Sequence, residues 1–479
     1  MLVLAMTLPL IAGVLLLFIK PRSAAFRGWY VMLSALGTSA LAAWVIFTPG
    51  DHAFTLLRLT EELTISFRLD GLGRIFAGLA ALLWPMVSLY ALEYMEHESG
   101  ENTFFGWFLM AYAATLGISF SEDLMSLFVF YEMLTLSTLP LVMQGMRTQR
   151  VHAGRKYLYY SMGGTALAFL ALVTVAEYGG GNFILGGNPA LGEAPLSLLL
   201  PMFVLGFFGF GVKAAVFPLH GWLPTAGVAP TPVTALLHAV AVVKAGAFAV
   251  IRLGYYCYAP SMVAGTWAQY VCLGAAILTI LIGSAVALRE RHLKRRFAYS
   301  TMSNLSYVLF GAMLLSPAGL EASLVHLIFH ALMKIVLFLC IGAVMIKAHG
   351  RFVHDLRGLG RRMPVVSAVF LLGALSLTGI PPLPGFQSKW LLAEAGIQGG
   401  VMGMIGTCVL IISAVLTAMY ALVPALSLYR GDSAEPAEKA EPGWRMLVCL
   451  ILLAVILLAV TFLSDWMVSA IHGEFAFTL

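Results

Sequence analysis

The stretch from Gly206 to Arg252 decides the fold of this chain, and it reads GFFGFGVKAAVFPLHGWLPTAGVAPTPVTALLHAVAVVKAGAFAVIR. Two apolar, span-like segments flank a link rich in proline and glycine, and each segment carries one lysine, Lys213 and Lys244. An ionisable group inside hydrocarbon is costly, so such groups tend to mark ion pathways or cavities. The stretch therefore predicts a membrane-embedded site for which other segments supply the partners.

The composition of the chain is that of a polytopic membrane protein. Of its 479 residues, 60% are hydrophobic and only 11% are charged, whereas a soluble domain is about half apolar and about a quarter charged. Apolar runs of about 20 residues, the length of a membrane-spanning helix, recur along the sequence. No stretch is long and polar enough for a separate soluble domain. We therefore predict an all-α polytopic membrane protein.

The apolar runs give an expected number of spans. By length and apolarity we count about fourteen. Their approximate cores are 1–19, 29–47, 71–92, 103–120, 123–145, 157–177, 196–217, 230–252, 262–288, 299–316, 319–346, 364–396 (interrupted), 402–428 and 445–466. Residues 1–19 lack a basic leader and an obvious small-residue cleavage site, so we expect a retained first span rather than a signal peptide.

Charge placement predicts the orientation of these spans. Of the 28 lysines and arginines, 20 lie in alternate loops, those after spans one, five, nine, eleven and thirteen. They are Lys20, Arg22, Arg27, Arg147, Arg150, Arg155, Lys156, Arg289, Arg291, Lys294, Arg295, Arg296, Lys347, Arg351, Arg357, Arg361, Arg362, Arg430, Lys439 and Arg445. The positive-inside rule makes these loops cytoplasmic and places both termini outside. The acidic loop from Glu93 to Glu101 would share the cytoplasmic side.

The basic residues that remain separate into two sets. Those in or near outside loops are Arg58, Arg68, Arg74 and Arg252. Those inside apolar segments are all lysines: Lys213, Lys244, Lys334 and Lys389. A lysine inside a membrane is rare and marks a functional site by default, so we predict that these lysines act as a set.

Span five, EDLMSLFVFYEMLTLSTLPLVM, supplies an acidic partner, because Glu132 lies near its middle. A mid-span carboxyl is usually functional, and we predict that Glu132 is the counter-ion of Lys213. A neutral acid bonded within a helix interface is the alternative. In span seven Gly209 and Gly211 precede Lys213 and Pro218 follows it, and such residues weaken the helical ladder. Because transporters build ion sites from broken helices, we expect an interruption around Lys213.

Spans eight and eleven carry histidines together with lysines. His238 and Lys244 are six residues apart, about 240° around a regular helix, so they share no face unless a π-bulge intervenes. A hydrogen-bonded core histidine is the alternative for His238. In LVHLIFHALMKIVLFLCIG, His326, His330 and Lys334 are spaced i, i+4, i+8 and line one face over about 12 Å. Histidine titrates near neutral pH and a desolvated lysine can do so, which suits a proton relay; polar helix packing is the alternative.

Span twelve contains LTGIPPLPGFQSKWLLAEAG and predicts a second interruption. Pro381, Pro382 and Pro384 remove backbone donors, so residues 378–385 cannot stay regularly helical. Lys389 follows this break. Two interrupted spans, seven and twelve, each with a lysine and five spans apart, form the pattern expected of two five-helix repeats.

No pattern in the sequence indicates a bound metal or redox group. The five cysteines are scattered, mostly in apolar runs, and none forms a CxxC pair, so they are interpreted as core residues. The glycines of GFGVKA precede no helix of a nucleotide-binding unit and follow no strand, which argues against a dinucleotide loop. We therefore expect no cofactor and no metal in this chain.

Taken together, the motifs resemble a known family from about residue 65 to residue 430. The chain is similar to the antiporter-like subunits of respiratory complex I, of Mrp-type cation/proton antiporters and of energy-converting membrane hydrogenases. The motifs that carry the resemblance are FRLDGLGRIF, FVFYEMLTL, VKAAVFPLHGWLP, APTPVTALLHAVAVVKAG, LKRRFAYSTMSNLSYVLFG, HLIFHALMKIVLF and GIPPLPGFQSKW.

The resemblance implies an architecture and a set of residue roles. It implies fourteen helices, two inverted five-helix repeats, discontinuous spans seven and twelve, and a polar axis across the membrane midplane. The regions are three N-terminal spans at 1–102, the first repeat at 103–258, the second at 259–430, and a C-terminal span and tail at 431–479. The implied proton-translocating residues are the pair Glu132 and Lys213, the span-eight relay His238 and Lys244, the central link His326, His330 and Lys334, and the terminal lysine Lys389.

These observations and the resemblance predict a proton-translocating membrane subunit of a multi-subunit complex. Protons would pass along the chain of lysine, glutamate and histidine, driven by a redox partner or by cation exchange. A self-sufficient Na⁺/proton antiporter is the alternative. The lack of cysteine clusters and of a nucleotide-binding domain disfavours a redox enzyme that binds quinone or a hydride donor itself. The retained lysines disfavour a scaffold that has lost pumping.

The resemblance also implies partners and a location. The expected partners are other membrane subunits of a respiratory, hydrogenase or Mrp-type complex, together with protons, Na⁺ in the antiporter alternative, and the lipid bilayer; no nucleic acid is expected. We expect the protein in the cytoplasmic (inner) membrane of a prokaryotic-type cell. The chain has no evident catalytic redox centre, so any enzymatic activity would belong to the complex.

Overall fold

The structure is a computed structural model that describes residues 1–50, 53–60, 63–144, 149–179, 181–430 and 439–475. The described residues form twenty α-helices and one β-hairpin. The helices before the first interruption are α1 (Leu2–Ile19), α2 (Ala24–Phe47), α3 (Gly71–Tyr94), α4 (Glu101–Phe120), α5 (Leu124–Val142), α6 (Arg150–Gly179) and α7 (Leu196–Gly211). The next are α8 (Trp222–Ala226), α9 (Thr231–Ala239), α10 (Val242–Arg252), α11 (Pro260–Val263), α12 (Trp267–Arg289), α13 (Leu293–Met313) and α14 (Pro317–Lys347). The last are α15 (Leu359–Arg362), α16 (Pro364–Thr378), α17 (Pro384–Gln398), α18 (Gly400–Thr417), α19 (Val423–Ser427) and α20 (Trp444–Glu474).

Several helices begin where the sequence supplies an N-cap. The side chains of Ser23, Asp70, Asp123 and Ser316 each accept a hydrogen bond from a backbone N–H in the first turn of α2, α3, α5 and α14. Such caps satisfy N–H groups that have no partner within the helix. The apolar runs between these caps then form the helices, because hydrocarbon leaves backbone polar groups no other partner.

Eleven helical segments of the described residues are long and apolar enough to cross a membrane, when Thr231–Cys257 and Gly400–Ser427 are each counted as one segment. Three further segments predicted as spans are also helical. Span seven contains α7, with 16 residues, span ten is the more polar α13, with 21, and span twelve is divided between α16 and α17, with 15 each. A polytopic helical membrane protein is therefore confirmed, while the count of fourteen and the two repeats stay predictions.

A small β-hairpin is an addition to the all-α prediction. Strands β1 (Phe54–Arg58) and β2 (Thr64–Phe67) pair in antiparallel register between α2 and α3. The Ser66 hydroxyl donates to Asp123 Oδ2 at 2.6 Å, so a hydrogen bond joins the hairpin to the N-cap residue of α5. We call this end of the helical bundle the hairpin face. The end of α20 also lies there, because Glu474 pairs with Arg74 at the start of α3 at 3.6 Å. The start of α14 lies next to it, since His472 Nδ1 and Glu321 Oε2 are 2.8 Å apart.

The loops that carry most of the basic residues gather at the opposite end, which we call the basic face. The loop before α13 pairs with the loop after α14, where Val353 N–H donates to Arg291 O at 3.0 Å. That second loop region in turn contacts the segment before α20, since Ala440 N–H donates to Arg362 O at 2.9 Å. The loops after spans nine, eleven and thirteen thus lie on one face, as predicted; Arg147, in the loop after span five, lies outside the described residues.

The acidic loop between α3 and α4 also lies at the basic face, as its position in the chain predicts. The Glu93 carboxylate accepts hydrogen bonds from Gly443 N–H at 2.5 Å and from Met446 N–H at 3.2 Å. Glu93 thereby caps the start of α20, where a carboxylate also interacts favourably with the helix dipole. Glu96 pairs with Arg445 at 2.8 Å, so acidic and basic side chains are matched on this face.

The structure contains the two predicted interruptions. Span seven leaves helical geometry after Gly211 and returns to it at Trp222, and within this stretch Ala215 has a φ of 60°. Span twelve stops at Thr378, where Gly379 follows with a φ of 90°, and resumes at Pro384. Proline and glycine explain both breaks, as the sequence predicts.

A third interruption, in span eight, was not predicted. Helix α9 ends at Ala239 and α10 begins at Val242, and the backbone between them leaves the helical region, with φ and ψ of −129° and −59° at Val240 and −79° and −89° at Ala241. Neither residue is a proline or a glycine, so no local signal marks this break. Span eight is therefore not one regular helix, and the separation of 240° that holds for a regular helix does not apply to its two ionisable groups.

Candidate functional site

The predicted ionisable groups lie in the interior of the bundle. Their exposed fractions are at most 1% for Lys213, Lys244 and Lys334 and 6% for Lys389. The three histidines of spans eight and eleven are completely buried, whereas Glu132 is half-buried. Because burying a charged or polar group without a partner is costly, the contacts of each side chain indicate what it can do.

Lys213 binds the backbone of the residue that precedes Glu132. Its Nζ donates to Tyr131 O and lies 3.3 Å from the centroid of the Tyr131 ring. The Tyr131 hydroxyl donates to Phe210 O at 2.7 Å, so Tyr131 holds the end of α7 and the ammonium group together. The break after Gly211 makes this possible because it turns the lysine toward α5.

Glu132 and Lys213 are neighbours without a direct ion pair among the described contacts. The carboxylate interacts electrostatically with the ammonium group, but its Oε1 atom is buried without a hydrogen-bond partner. The structure thus brings the predicted partners together and leaves a separation between them. A small rearrangement of α5 or of the interrupted segment would change the interaction between the two charges.

The break in span eight separates the environments of His238 and Lys244. The His238 ring stacks on Phe338 with centroids 4.6 Å apart, and neither of its nitrogens has a partner among the described residues. Lys244 Nζ lies 2.6 Å from His330 Nδ1. Span eight therefore reaches span eleven through a direct lysine–histidine contact, which its helical periodicity alone does not predict.

Helix α14 carries the predicted polar face without interruption. The rings of His326 and His330 are stacked with centroids 5.8 Å apart. His326 Nδ1 lies 2.9 Å from Ser388 Oγ. One helical turn beyond His330, Lys334 Nζ donates to Ser300 Oγ at 2.7 Å and to Phe297 O at 3.2 Å. This face links α10, α13 and α17.

Lys389 binds the free end of the interrupted helix of span twelve. Its Nζ donates to Leu377 O at 2.8 Å and to Thr378 O at 3.0 Å. The last carbonyl groups of a helix have no partner within the helix and carry partial negative charge, so they stabilise a cation. The proline-rich break thus creates the acceptors for this lysine. Glu394, five residues further along the chain, is exposed and is not a partner.

The buried ionisable residues form two groups, one around Lys213 and one around α14. The two groups approach each other at Gly246. No hydrogen bond joins Lys213 to Lys244 among the described residues. Helix α10 lies against the backbone of Lys213 at Gly246, where an added Cβ would come 2.9 Å from Lys213 C, 3.0 Å from Lys213 Cβ, and closer still to Ala214 N. Only a glycine allows this approach, so Gly246 sets the distance between the two groups.

We expect Gly246→Ala to lower both the stability and the transport activity of the protein. Overpacking of a tight contact typically costs about 1–3 kcal/mol, and relief of the clash would move α10 and Lys244 away from Lys213. Thermal unfolding in detergent and proton transport after reconstitution measure the two effects. Gly274→Ala in α12 is the matched control, because nothing lies within 4 Å of its Cβ position; equal losses in the two variants would contradict the role of Gly246.

The assignment of basic residues to loops from the sequence did not predict a buried ion pair at the hairpin face. Arg252, assigned to an outside loop, is completely buried at the end of α10. Its guanidinium binds Asp70 through both terminal nitrogens, with Nη2 2.6 Å from Oδ1, and lies 4.6 Å from the Phe183 ring and 4.4 Å from the Tyr256 ring. The pair ties the helix that carries Lys244 to the start of α3.

The charge state of Asp70 follows from these contacts. Burial raises the pKa of the Asp70 carboxyl, but the Arg252 guanidinium and the Gly73 N–H oppose burial and together hold the pKa below its ordinary value. Asp70 is therefore ionised at neutral pH. A hydrogen-bonded pair of this kind is costly to break from one side, because the other charge stays buried.

The described residues contain no group of three or more histidine, cysteine, aspartate or glutamate side chains placed to hold a metal ion. All five cysteines are free, and four of them are buried. The ionisable side chains of the predicted site are lysine, histidine and glutamate, each of which can bind and release a proton.

Two family models match the chain. Residues 121–417 match the model described as NADH:quinone oxidoreductase/Mrp antiporter, TM. Residues 60–105 match the model described as NADH-Ubiquinone oxidoreductase (complex I), chain 5 N-terminus. The first of these covers every residue of the two groups described above.

Individual proteins similar to the chain come from three kinds of complex. NADH-quinone oxidoreductase subunit N of Desulforudis audaxviator is 34% identical over 388 residues, which are 77% of this chain and 73% of that protein. Hydrogenase-4 component B of Escherichia coli is 30% identical over 446 residues, 87% of this chain and 65% of that protein. Putative antiporter subunit mnhA2 of Staphylococcus haemolyticus is 28% identical over 434 residues, 85% of this chain and 53% of that protein.

Solved structures share the fold along the whole chain. A chain of the Mrp complex from Dietzia sp. DQ12-45-1b superposes with a TM-score of 0.85 at 23% identity, covering 99% of this chain and 96% of that chain. A chain of respiratory complex I from Thermus thermophilus with bound NADH gives 0.82 at 23% identity and covers 100% of both chains. The fold is therefore that of membrane subunits of large assemblies.

Proposed function

Because the chain belongs to the NADH:quinone oxidoreductase/Mrp antiporter family of membrane subunits, we propose that it moves protons across the membrane along its buried lysines and histidines as part of a multi-subunit complex. The observation that carries this proposal is the contact of 2.6 Å between Lys244 Nζ and His330 Nδ1 deep in the bundle. Two nitrogen atoms at that distance can share a proton directly. Ionisable residues at this depth are costly and rare, and they mark proton relays and ion pathways.

Lys213 and Glu132 would control the entry of a proton into this chain. Burial disfavours the ammonium form of a lysine, and a nearby carboxylate favours it. When Glu132 approaches Lys213, the lysine would hold its proton; when the two separate, the lysine would release it. The Tyr131 carbonyl is the acceptor that holds Nζ between these states. The present separation of the two side chains is one of the two arrangements that such a switch requires.

The released proton would then travel along the membrane plane. It would reach Lys244 over the gap at Gly246, where a bridging water molecule would act as carrier. From Lys244 it passes to His330 and on to the stacked His326. Ser388 accepts or donates at His326 Nδ1, 2.9 Å away, and directly precedes Lys389 in the chain. Lys389, held by two carbonyl groups, would be the terminal proton carrier.

The parent complex and the orientation are also proposals. The relatives belong by name to NADH-quinone oxidoreductases, a hydrogenase and antiporters, and either a redox reaction or cation exchange would supply the driving force. The basic face would lie in the cytoplasm, with both termini on the other side of the membrane. A self-sufficient cation/proton antiporter is the second candidate, favoured by the antiporter names among the relatives.

Purification through an affinity tag on this chain from its native membrane tests the proposal. Mass spectrometry identifies co-purifying subunits, and a pH-sensitive dye inside liposomes follows proton movement after addition of NADH, H₂ or NaCl. We expect co-purification with other membrane subunits and a pH change with one driver. Proton–Na⁺ exchange by the isolated chain would favour the second candidate. Absence of proton movement under all drivers, with the complex intact, would overturn both.

A further inference from the structure

A group of buried hydroxyl side chains lies between α12, α13 and the end of α18, outside the chain of lysines and histidines. We call it the hydroxyl cluster, and its members, all completely buried, are Ser284, Ser300, Ser303, Tyr307, Ser413, Thr417 and Tyr420. Burial of a hydroxyl group is unfavourable unless the group is hydrogen-bonded. The members of the hydroxyl cluster therefore need one another as hydrogen-bond partners, and they form a network.

One end of the hydroxyl cluster is bonded to Lys334. Lys334 Nζ donates to Ser300 Oγ at 2.7 Å. Ser300 Oγ and Tyr420 Oη are 2.9 Å apart, and Thr417 Oγ1 donates to Tyr420 Oη at 3.0 Å. Three successive contacts of hydrogen-bond length therefore lead from the lysine of α14 through α13 to α18.

The other end of the hydroxyl cluster reaches the surroundings of Lys389. The Tyr307 hydroxyl donates to Ser413 Oγ at 2.6 Å and also faces Thr417, which closes the connection to the first end. The Tyr307 ring lies beside Lys389 and His326. Its centroid is 5.8 Å from Lys389 Nζ and 5.3 Å from the centroid of the His326 ring. The cluster thus extends from a hydrogen bond with Lys334 to a tyrosine ring beside Lys389.

A π-helical turn creates the central contact of this network. The turn occupies Ala418–Leu422, between α18 and α19, and its wider geometry brings the hydroxyl groups of Thr417 and Tyr420 together. The Arg296 guanidinium fixes the turn by donating to Tyr420 O at 3.0 Å. Single π-helical turns cost regular hydrogen bonding and occur frequently at functional sites.

We propose that the hydroxyl cluster is a second proton path between Lys334 and Lys389, parallel to the path through His330 and His326. This inference rests on the proposed function. A proton leaves the Lys334 ammonium group for Ser300 Oγ while the proton of each hydroxyl moves to the next oxygen. Among the described contacts no hydroxyl group lies within hydrogen-bond distance of Lys389 Nζ, so the Tyr307 hydroxyl passes its proton to a bridging water molecule, and this water molecule passes one proton on to neutral Lys389. One proton is transferred, Lys334 becomes a neutral amine, and every hydroxyl group is restored and stays neutral. No oxidant, reductant or cofactor takes part.

The variant Tyr420→Phe tests the path, because it removes one hydroxyl group and keeps the ring that packs in the bundle. Tyr112→Phe is the matched control: Tyr112 is completely buried and its hydroxyl lies 2.9 Å from Ser39 Oγ, outside the hydroxyl cluster. Both are compared with the unaltered complex in liposomes, in H₂O and in D₂O. Since the histidine path remains, we expect Tyr420→Phe to lower the rate only by the share that the second path carries, about twofold for two equal paths. The ratio of the rates in H₂O and D₂O should change, because all transport then follows the histidine path. The control should change neither.

The possible outcomes separate the second path from a structural role and from failure of the proposed function. Unchanged transport by Tyr420→Phe, or slower transport with an unchanged isotope ratio, would overturn the second path, since a purely structural loss lowers the rates in H₂O and in D₂O by the same factor. Lys213→Ala in the same preparation distinguishes the two proposals. If Lys213→Ala abolishes transport and Tyr420→Phe does not alter it, only the second path is wrong. If Lys213→Ala also transports normally, the proposed function is wrong.

Discussion

Lys213→Ala is expected to lower the rate of proton transport at least about 100-fold, the usual magnitude for loss of a positioned proton carrier. The methyl group of alanine cannot hold a proton, and Tyr131 O and Glu132 would then face no cation. Removal of one partner of a buried pair also costs stability, so transport is expressed per assembled complex in order to separate the loss of the proton carrier from a loss of assembly. Transport by the reconstituted complex and its yield on a native gel measure the two effects.

Two further variants distinguish a proton carrier from a buried charge at position 213. Lys213→Arg keeps a positive charge but cannot release its proton in a protein, so it should transport as poorly as Lys213→Ala. Lys439→Ala removes an exposed lysine at the basic face and should leave transport unaltered. Full transport by Lys213→Arg would mean that position 213 needs a charge and not a titratable group, against the proposed switch.

Asp70→Ala is expected to destabilise the protein by about 3 kcal/mol, within the range for removal of one partner of a buried ion pair. The reason is the unpaired charge left behind, because the Arg252 side chain is only 1% exposed whereas that of Asp70 is 33% exposed. The loss should appear as a lower midpoint of thermal unfolding and as less assembled complex. Because Arg252 ends the helix that carries Lys244, transport by the remaining complex should fall as well.

A double variant and a control test the origin of this loss. Arg252→Met combined with Asp70→Asn removes both charges and should recover much of the lost stability, because the buried guanidinium is no longer present. Glu96→Ala breaks the Glu96–Arg445 pair, whose side chains are 49% and 36% exposed, and such surface pairs contribute only about 0–1 kcal/mol. If the double variant were less stable than Asp70→Ala alone, the explanation by an unpaired charge would be wrong.

The same ion pair predicts a dependence of stability on pH. The pKa of Asp70 is lower in the folded protein than the ordinary value, chiefly because Arg252 outweighs the opposing effect of burial. The stabilisation is therefore complete above the ordinary aspartate pKa of about 3.9, and it is lost as the pH falls through the lower pKa of the folded state. Asp70→Asn should accordingly lose less stability between neutral and strongly acidic pH than the unaltered protein.

The sequence was sufficient for properties that depend on neighbouring residues. Hydropathy over windows of helical length identified a polytopic membrane protein, and prolines and glycines located the breaks beside Lys213 and Lys389. The spacing of His326, His330 and Lys334 placed them on one face, because α14 is a regular helix. The basic loops gather on one face as predicted, since alternate ends of antiparallel spans lie together. The roles of the buried ionisable residues stay predictions that the variants above test.

Only the tertiary structure decided which of these groups meet. The break at Val240 and Ala241 contains no proline or glycine from which it could be predicted. It places Lys244 beside His330, 86 residues further along the chain. Arg252 meets Asp70 across 182 residues. Sequence patterns report the periodicity of one element at a time, whereas such contacts depend on the packing of several helices and on which backbone can approach which, as Gly246 does at Lys213. The sequence by itself thus determined that this protein keeps costly lysines and histidines within the membrane, and packing determined the order in which they connect.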